Sequence, residues 1–334
     1  MITKRLPENS EGIAEAARIL KAGGIVAIPT ETVYGLAADA RNVAAVEKVF
    51  VAKGRPQDNP LIVHISDIEM LRTVAADIPK EAYRLAERFW PGPLTMVLPR
   101  DESIPACVSA GLSTVAVRMP SHEIAHNIIK ESGLPLAAPS ANVSGSPSPT
   151  KATHVLEDLD GKIDAVVMSG DCAVGVESTV VTLCTVPPRL LRPGGVTVDE
   201  LKEVLPTLAV DPAVLAEPEE GKPVASPGMK YKHYSPKSDV IMVCGEGFAD
   251  FVNSKPDCGA LCFSEEAGDI GCPHVVYGSE KNPETLAEGL FSALREADTL
   301  GADTVYAHAP KTDGVGLAVY NRLIRAAGFK VMEL

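Results

Sequence analysis

Lys53 and Arg55 place two positive charges on three residues of the stretch KGRPQDNP, where Pro56 and Pro60 bracket the polar Gln57, Asp58 and Asn59. A stiff cationic corner of this kind suits an anionic ligand, and a solvated loop is the plain alternative. Further polar groups fall at the ends of apolar runs. PTETVYGLAADA follows the run IVAIPT, His64 lies inside LIVHI, and Arg118 lies on TVAVRMP. Ser140 and Asn142 leave LPLAA at the turn PSANVSG, Glu177 and Ser178 precede STVVTL's valines, and Arg192 sits in LLRPGG. Arg118 stands out, because a guanidinium flanked by Val and Met needs an anion or several carbonyls once it is buried. A ligand carboxylate or phosphate would meet that need with a bidentate contact. Together Lys53, Arg55, Arg118 and Arg192 could neutralise a triphosphate and one carboxylate. The chain has no GxxxxGK[ST] phosphate loop, no HExxH and no Ser-His-Asp order. Each group also has a bland reading. Thr30, Thr32 and Tyr34 alternate like a half-buried strand edge, His64 could be a satisfied core histidine, and Ser140 and Asn142 could cap a turn.

The elements that must position these groups are short. IAEAARILKAGG and VAAVEKVFVAKG read as helices closed by glycine, as does HEIAHNIIKESG. IVAIPT, LIVHI, LTMVLP, TVAVRMP, PLAA, DAVVMSG and STVVTL read as strands with Pro or Gly corners. This mix predicts a mixed twisted sheet with flanking helices around a concave cavity over residues 1–204, not a regular βαβ series. Residues 205–238 are rich in Pro and poor in apolar periodicity, which predicts a linker, and its second half SPGMKYKHYSP is dense in functional groups. In residues 239–334 the strands DVIMVC, ALCFS, HVVYG and DTVYAHAP alternate with helical segments, predicting a small three-layer, Rossmann-like domain. No GxGxxG follows its first strand, so a dinucleotide is not indicated.

Bulk composition narrows the function classes. The 334 residues are 46% hydrophobic and 22% charged with a net charge of -13, ordinary for a globular enzyme. Residues 1–200 carry 19 basic against 24 acidic groups and residues 201–334 carry 12 against 20, so neither half has the basic field of a duplex binder. Aromatics at 4% leave little for base stacking. Seven irregularly spaced cysteines fit reduced thiols better than a disulfide framework, and a zinc reading of Cys258, Cys262, Cys272 and His274 lacks a CxxC pair. With no run of membrane-spanning length and no signal core, a cytoplasmic location is expected.

In order along the chain, PTETVYGLAADA, KGRPQDNPLIVHI, PSANVSGSPSPT and LRPGG resemble the YrdC-like domain of L-threonylcarbamoyladenylate synthases. The family's KxR…SxN signature is met by Lys53, Arg55, Ser140 and Asn142, and the remainder resembles the two-domain form. The resemblance implies an enzyme that joins L-threonine, bicarbonate and ATP into threonylcarbamoyl-AMP and pyrophosphate. A downstream transferase would then carry the threonylcarbamoyl group to adenosine 37 of tRNAs that read ANN codons. It implies a threonine side lined by Thr32, His64, Arg118, the Ala138 backbone and Ser178. The ATP side would be Lys53, Arg55, Asn59, Ser140, Asn142, Ser148 and Arg192, with Lys53 and Arg55 clamping the triphosphate. Tyr231 and His233 of the linker would form a lid, and Mg²⁺ would enter with ATP and not on protein side chains. Two other readings stay open from residues alone: an RNA-binding module in a cationic concavity, and an ATP-dependent enzyme carbamoylating or adenylating another amine.

Overall fold

The computed structural model describes residues 2–216 and 234–334. Tyr231 and His233, with most of SPGMKYKHYSP, lie outside the described residues. Two compact units divide the chain. The first holds residues 2–144, 149–173 and 177–216, and the second holds Gly145–Ser148, Val174–Val176 and residues 234–334.

The first unit begins β1 (Lys4–Pro7), α1 (Ser10–Lys21), β2 (Val26–Ile28), β3 (Gly35–Asp39), α2 (Val43–Lys53), β4 (Ile62–His64) and α3 (Ile68–Leu71). It continues α4 (Lys80–Phe89), β5 (Leu94–Pro99), β6 (Thr114–Arg118), α5 (Glu123–Ser132), β7 (Leu136–Ala137) and α6 (Ala152–Leu159). It closes with β8 (Ala165–Met168), β9 (Thr179–Thr182), β10 (Arg189–Arg192), α7 (Val198–Val204) and β11 (Ala209–Val210). The strands form one mixed sheet in the order β1-β8-β2-β3-β7-β4-β6-β5-β9-β10-β11. Side-chain alternation divides its centre into two faces. Val63, Met96, Val117 and Val181 point to one face and pack with Leu85 of α4 and Leu201 of α7 in the main core. Ile62, Val97, Ala116 and Val180 point to the other, where the apolar cluster is thin. That thin cover leaves room for polar side chains.

Two features differ from the sequence expectation. GLAAD forms strand β3, hairpin partner of β2 through Ile28 and Gly35, so residues 29–34 are the connection between them and not the strand edge that the alternation of Thr30, Thr32 and Tyr34 suggests. Residues 205–216, read as linker, continue the first unit. β11 pairs with β10, and Leu205, Leu208 and Val214 are buried.

The second unit contains β12 (Asp239–Cys244), α8 (Phe248–Asn253), β13 (Cys258–Phe263), β14 (His274–Gly278), α9 (Pro283–Glu296), β15 (Thr304–His308), α10 (Gly316–Ala326) and β16 (Val331–Glu333). Its five strands are all parallel in the order β14-β13-β15-β12-β16. This alternation of parallel strands and helices is the Rossmann-like pattern expected.

Candidate active site

Strand register builds a polar row across the thinly covered face of the first unit. Parallel pairing of β4 and β6 sets His64 opposite Arg118, and antiparallel pairing of β5 with β6 sets Thr95 on the other side of Arg118. β9 then brings Val180 beside Thr95, and β10 brings Arg192 beside Val180. The β2–β3 connection supplies Thr30, Glu31 and Thr32 to the same place. Its shape is held by the Thr30 hydroxyl, which accepts the Thr32 and Val33 N–H groups and donates to the Val33 carbonyl.

Arg118 is the centre of this group and is 3% exposed. Its Nη1 donates to Thr32 Oγ1 at 2.8 Å and its Nε to the Gly92 carbonyl at 3.3 Å. Its Nη2 lies 2.8 Å from Glu31 Oε1, a buried ion pair. The contact is short but misaligned, and neither Nη2 nor either Glu31 oxygen makes a well-formed hydrogen bond. Burial pushes the Glu31 carboxyl up, but the Arg118 charge and the nearby backbone N–H groups of Glu31 and Ser121 hold it below its usual value. His64 is equally buried, and neither ring nitrogen makes a well-formed hydrogen bond, although the Ile62 and Leu136 carbonyls lie near it. Burial, helped by the neighbouring Arg118 charge, pulls its pKa down to about 3, so the ring is neutral near pH 7. A buried neutral imidazole, a guanidinium edge and a carboxylate with unused hydrogen-bonding capacity are unusual in one place. Such groups fit a small polar ligand.

Farther along the row, Ser178 shares a 2.7 Å hydrogen bond with Thr95, and Arg192 Nη2 donates to the Ser178 hydroxyl at 3.2 Å and its carbonyl at 3.0 Å. A second group forms where α2 ends. Gly54, at φ 59°, caps the helix in the left-handed region and turns the chain into the KGR corner. Lys53, 1% exposed, gives its ammonium to the carbonyls of Ser140 and Asn142. Burial first, and then the Arg55 charge, push the Lys53 pKa well down, against the pull of Asp158 and Glu177. Arg55 Nη2 reaches the Pro60 carbonyl at 3.3 Å, and the buried Asn59 Oδ1 has no partner. The two halves of KxR…SxN, 87 residues apart, are therefore joined through Lys53. A surface groove of about 570 Å³ between Ile25, Glu47, Val51 and Asp164 contains none of these residues.

Two family profiles match the chain: Sua5/YciO/YrdC, described as "Telomere recombination", over residues 18–194, and "Threonylcarbamoyl-AMP synthase, C-terminal domain" over residues 196–328. The Threonylcarbamoyl-AMP synthase of Pyrococcus abyssi is 47% identical over 330 residues, covering 96% of this chain and 95% of the relative. That of Bacillus subtilis is 45% identical over 340 residues, covering 99% and 97%. The chain belongs to the threonylcarbamoyl-AMP synthase family. A solved structure, "Crystal structure of P. abyssi Sua5 complexed with L-threonine", superposes with a TM-score of 0.92 at 43% identity, covering 100% of both chains.

Within this threonylcarbamoyl-AMP synthase fold, Thr32, His64, Arg118 and Ser178 fall in or beside the polar row, and Ala138 follows β7 with its N–H donating to the Ile62 carbonyl. Lys53, Arg55, Asn59, Ser140 and Asn142 gather at the corner, while Arg192 touches Ser178. Ser148 is buried in the Gly145–Ser148 segment of the second unit. Lys53, expected with Arg55 to clamp the triphosphate, gives its ammonium to two backbone carbonyls in the ligand-free chain. Arg118, expected to need an anion or several carbonyls once buried, faces the Glu31 carboxylate. Sequence reading missed Glu31 and Thr95. The one signal for Glu31 was its place inside PTETVYG; Thr95 gave none, being one polar residue in an apolar strand.

Proposed function

We propose that the polar row around Arg118 receives L-threonine and that the corner of Arg55, Asn59, Ser140 and Asn142 receives ATP. The family's reaction makes threonylcarbamoyl-AMP and pyrophosphate from L-threonine, bicarbonate and ATP, for threonylcarbamoylation of adenosine 37 in ANN-decoding tRNAs. The observation that carries the site assignment is the unused hydrogen-bonding capacity of Arg118 Nη2, Glu31 and His64 in a buried setting. The relative crystallised with L-threonine supports an amino acid as the ligand. Threonine's amine and bicarbonate form an N-carboxylate with loss of water, and this anion attacks the α-phosphorus as pyrophosphate leaves. Such a nucleophile needs placing more than activating, so the work falls to positioning and charge neutralisation.

Arg192, which donates to Ser178, would offset charge developing between threonine and ATP. Arg55 would pair phosphate oxygens, and Lys53, by fixing the Ser140–Asn142 turn, sets where the nucleotide lies. The corner's donors are amides, a hydroxyl and cations, a set that fits Mg²⁺ carried on phosphate oxygens and water and not caged by protein. When bound, Mg²⁺ would spread the charge of the leaving pyrophosphate. A separate transferase consumes the product, and the chain works in the cytoplasm without stable nucleic-acid binding of its own. The test is pyrophosphate release from ATP. Release should require both L-threonine and bicarbonate, with L-serine slower by roughly 10–200-fold for its missing methyl. Equal release without bicarbonate, or with any amine, contradicts this reading.

A further inference from the structure

We propose that Glu31 is the anionic half of an amino-acid clamp, holding the ammonium of L-threonine while Arg118 holds the carboxylate. The inference rests on the amino-acid site assigned above and adds a positioning and selectivity residue to it. Glu31 is 8% exposed, and the Thr30 hydrogen bonds fix the loop on either side of it. A buried carboxylate has about four acceptor positions and is costly unless donors fill them. Here the ion-pair contact, 2.8 Å to Arg118 Nη2, is misaligned, and neither oxygen makes a well-formed hydrogen bond, with only the backbone N–H groups of Glu31 and Ser121 nearby. The partner is equally unspent: Arg118 uses Nη1 on Thr32 and Nε on Gly92, leaving Nη2 without an acceptor in line.

The chemistry of these two groups selects the ligand. A ligand carrying only a carboxylate would satisfy Arg118 but meet repulsion from Glu31, since like charges in a dry site are strongly unfavourable. A simple amine would satisfy Glu31 and leave the Arg118 edge bare. A zwitterion of α-amino-acid size serves both at once: its three ammonium hydrogens match the carboxylate, and its carboxylate matches the guanidinium edge. His64, neutral and with neither ring nitrogen in a well-formed hydrogen bond, remains for a hydroxyl nearby. Glu31 therefore makes the site discriminate an amino acid from the corresponding hydroxy acid, a distinction that Arg118 alone does not provide.

The test compares binding of L-threonine with that of (R)-3-hydroxybutyrate, which lacks only the amino group, by calorimetry on the parent and on Glu31→Gln. Glu31→Gln should weaken L-threonine by roughly ten- to a hundredfold, the range of a charge-assisted hydrogen bond. The same variant should leave (R)-3-hydroxybutyrate unchanged or bind it more tightly. If Glu31 only offsets the Arg118 charge until substrate arrives, both ligands tighten. If it only shapes the loop, both weaken alike. Either result overturns the proposal. If Glu31→Gln does not fold, Glu31→Asp decides: it keeps the charge at shorter reach, and threonine should lose severalfold while the hydroxy acid does not, equal losses again refuting the clamp. A parent protein that binds no L-threonine contradicts the site assignment itself, which separates that failure from this one.

Discussion

Two histidines close parallel strands in this molecule, one in each unit, and each has a glutamate for company. His308 ends β15 and is fully engaged: Nδ1 lies 2.9 Å from both Glu266 oxygens, and Nε2 lies 3.1 Å from the Gly245 carbonyl. Its ring is stacked between Phe248 and Phe263 at centroid distances of 4.6 and 4.5 Å. His64 ends β4, is more deeply buried, and has neither ring nitrogen in a well-formed hydrogen bond. The glutamates follow the same division. Glu266 is bound to its histidine, while Glu31 faces Arg118 with both oxygens unfilled. Buried polar groups in folded proteins are normally satisfied, so the unsatisfied set marks the place where a ligand completes the structure. On the proposed assignment, the same residue type serves as architecture in one unit and as a binding group in the other.

The largest effect should come from Arg118→Met, which leaves the Glu31 carboxylate buried without its counter-charge. Chemical denaturation should show a loss of about 3–5 kcal/mol. Adding Glu31→Leu should restore most of that stability while threonine binding stays absent, because an apolar pair can replace a buried ion pair but cannot bind a zwitterion. A loss below about 1 kcal/mol for the single variant would mean that the ion pair is solvated. The comparison sharpens next through pH. His64 has a folded pKa of about 3 against 6.5 in the free side chain, so the unfolded chain takes up a proton that the folded chain refuses. Its stabilising contribution is complete above about pH 6.5 and declines as pH falls toward 3. Between about pH 6.5 and 5 it should cost about 1–2 kcal/mol, a slope that His64→Asn removes in melts at the two pH values. An unchanged slope in the variant would assign the pH response elsewhere. The smallest effect belongs to the satisfied histidine. His308→Asn should lower stability by about 1 kcal/mol through lost stacking and hydrogen bonding, with pyrophosphate release at the parent's rate. A comparable fall in activity would give the second unit a catalytic part.

Much of this arrangement is legible in sequence, and the illegible parts have physical reasons. The apolar runs ending in His64 and Arg118 announce strands, and the glycine at 54 announces the stop of α2. β3 is hidden because GLAAD is built of residues with weak strand preference and becomes a strand through its neighbours β2 and β7. Residues 205–216 look like linker because Pro206 and Pro212 interrupt the pattern, yet Leu205, Leu208 and Val214 are enough to seat them. That Lys53 also binds a backbone carbonyl 87 residues away leaves no mark in the pattern. Glu31 reads as an ordinary polar loop residue for the same reason. Its importance depends on Arg118, which the sheet register brings to it.

The most direct test of the contrast leaves the protein unaltered. Ring-labelled histidine in the full chain gives seven side-chain signals, assigned by single His→Asn variants, and L-threonine is added stepwise while they are followed by NMR. The His64 ring signals should shift saturably with threonine, since the ligand supplies partners that the folded chain lacks, while the His308 signals stay in place. A titration that moves His308 and leaves His64 unchanged would contradict the account.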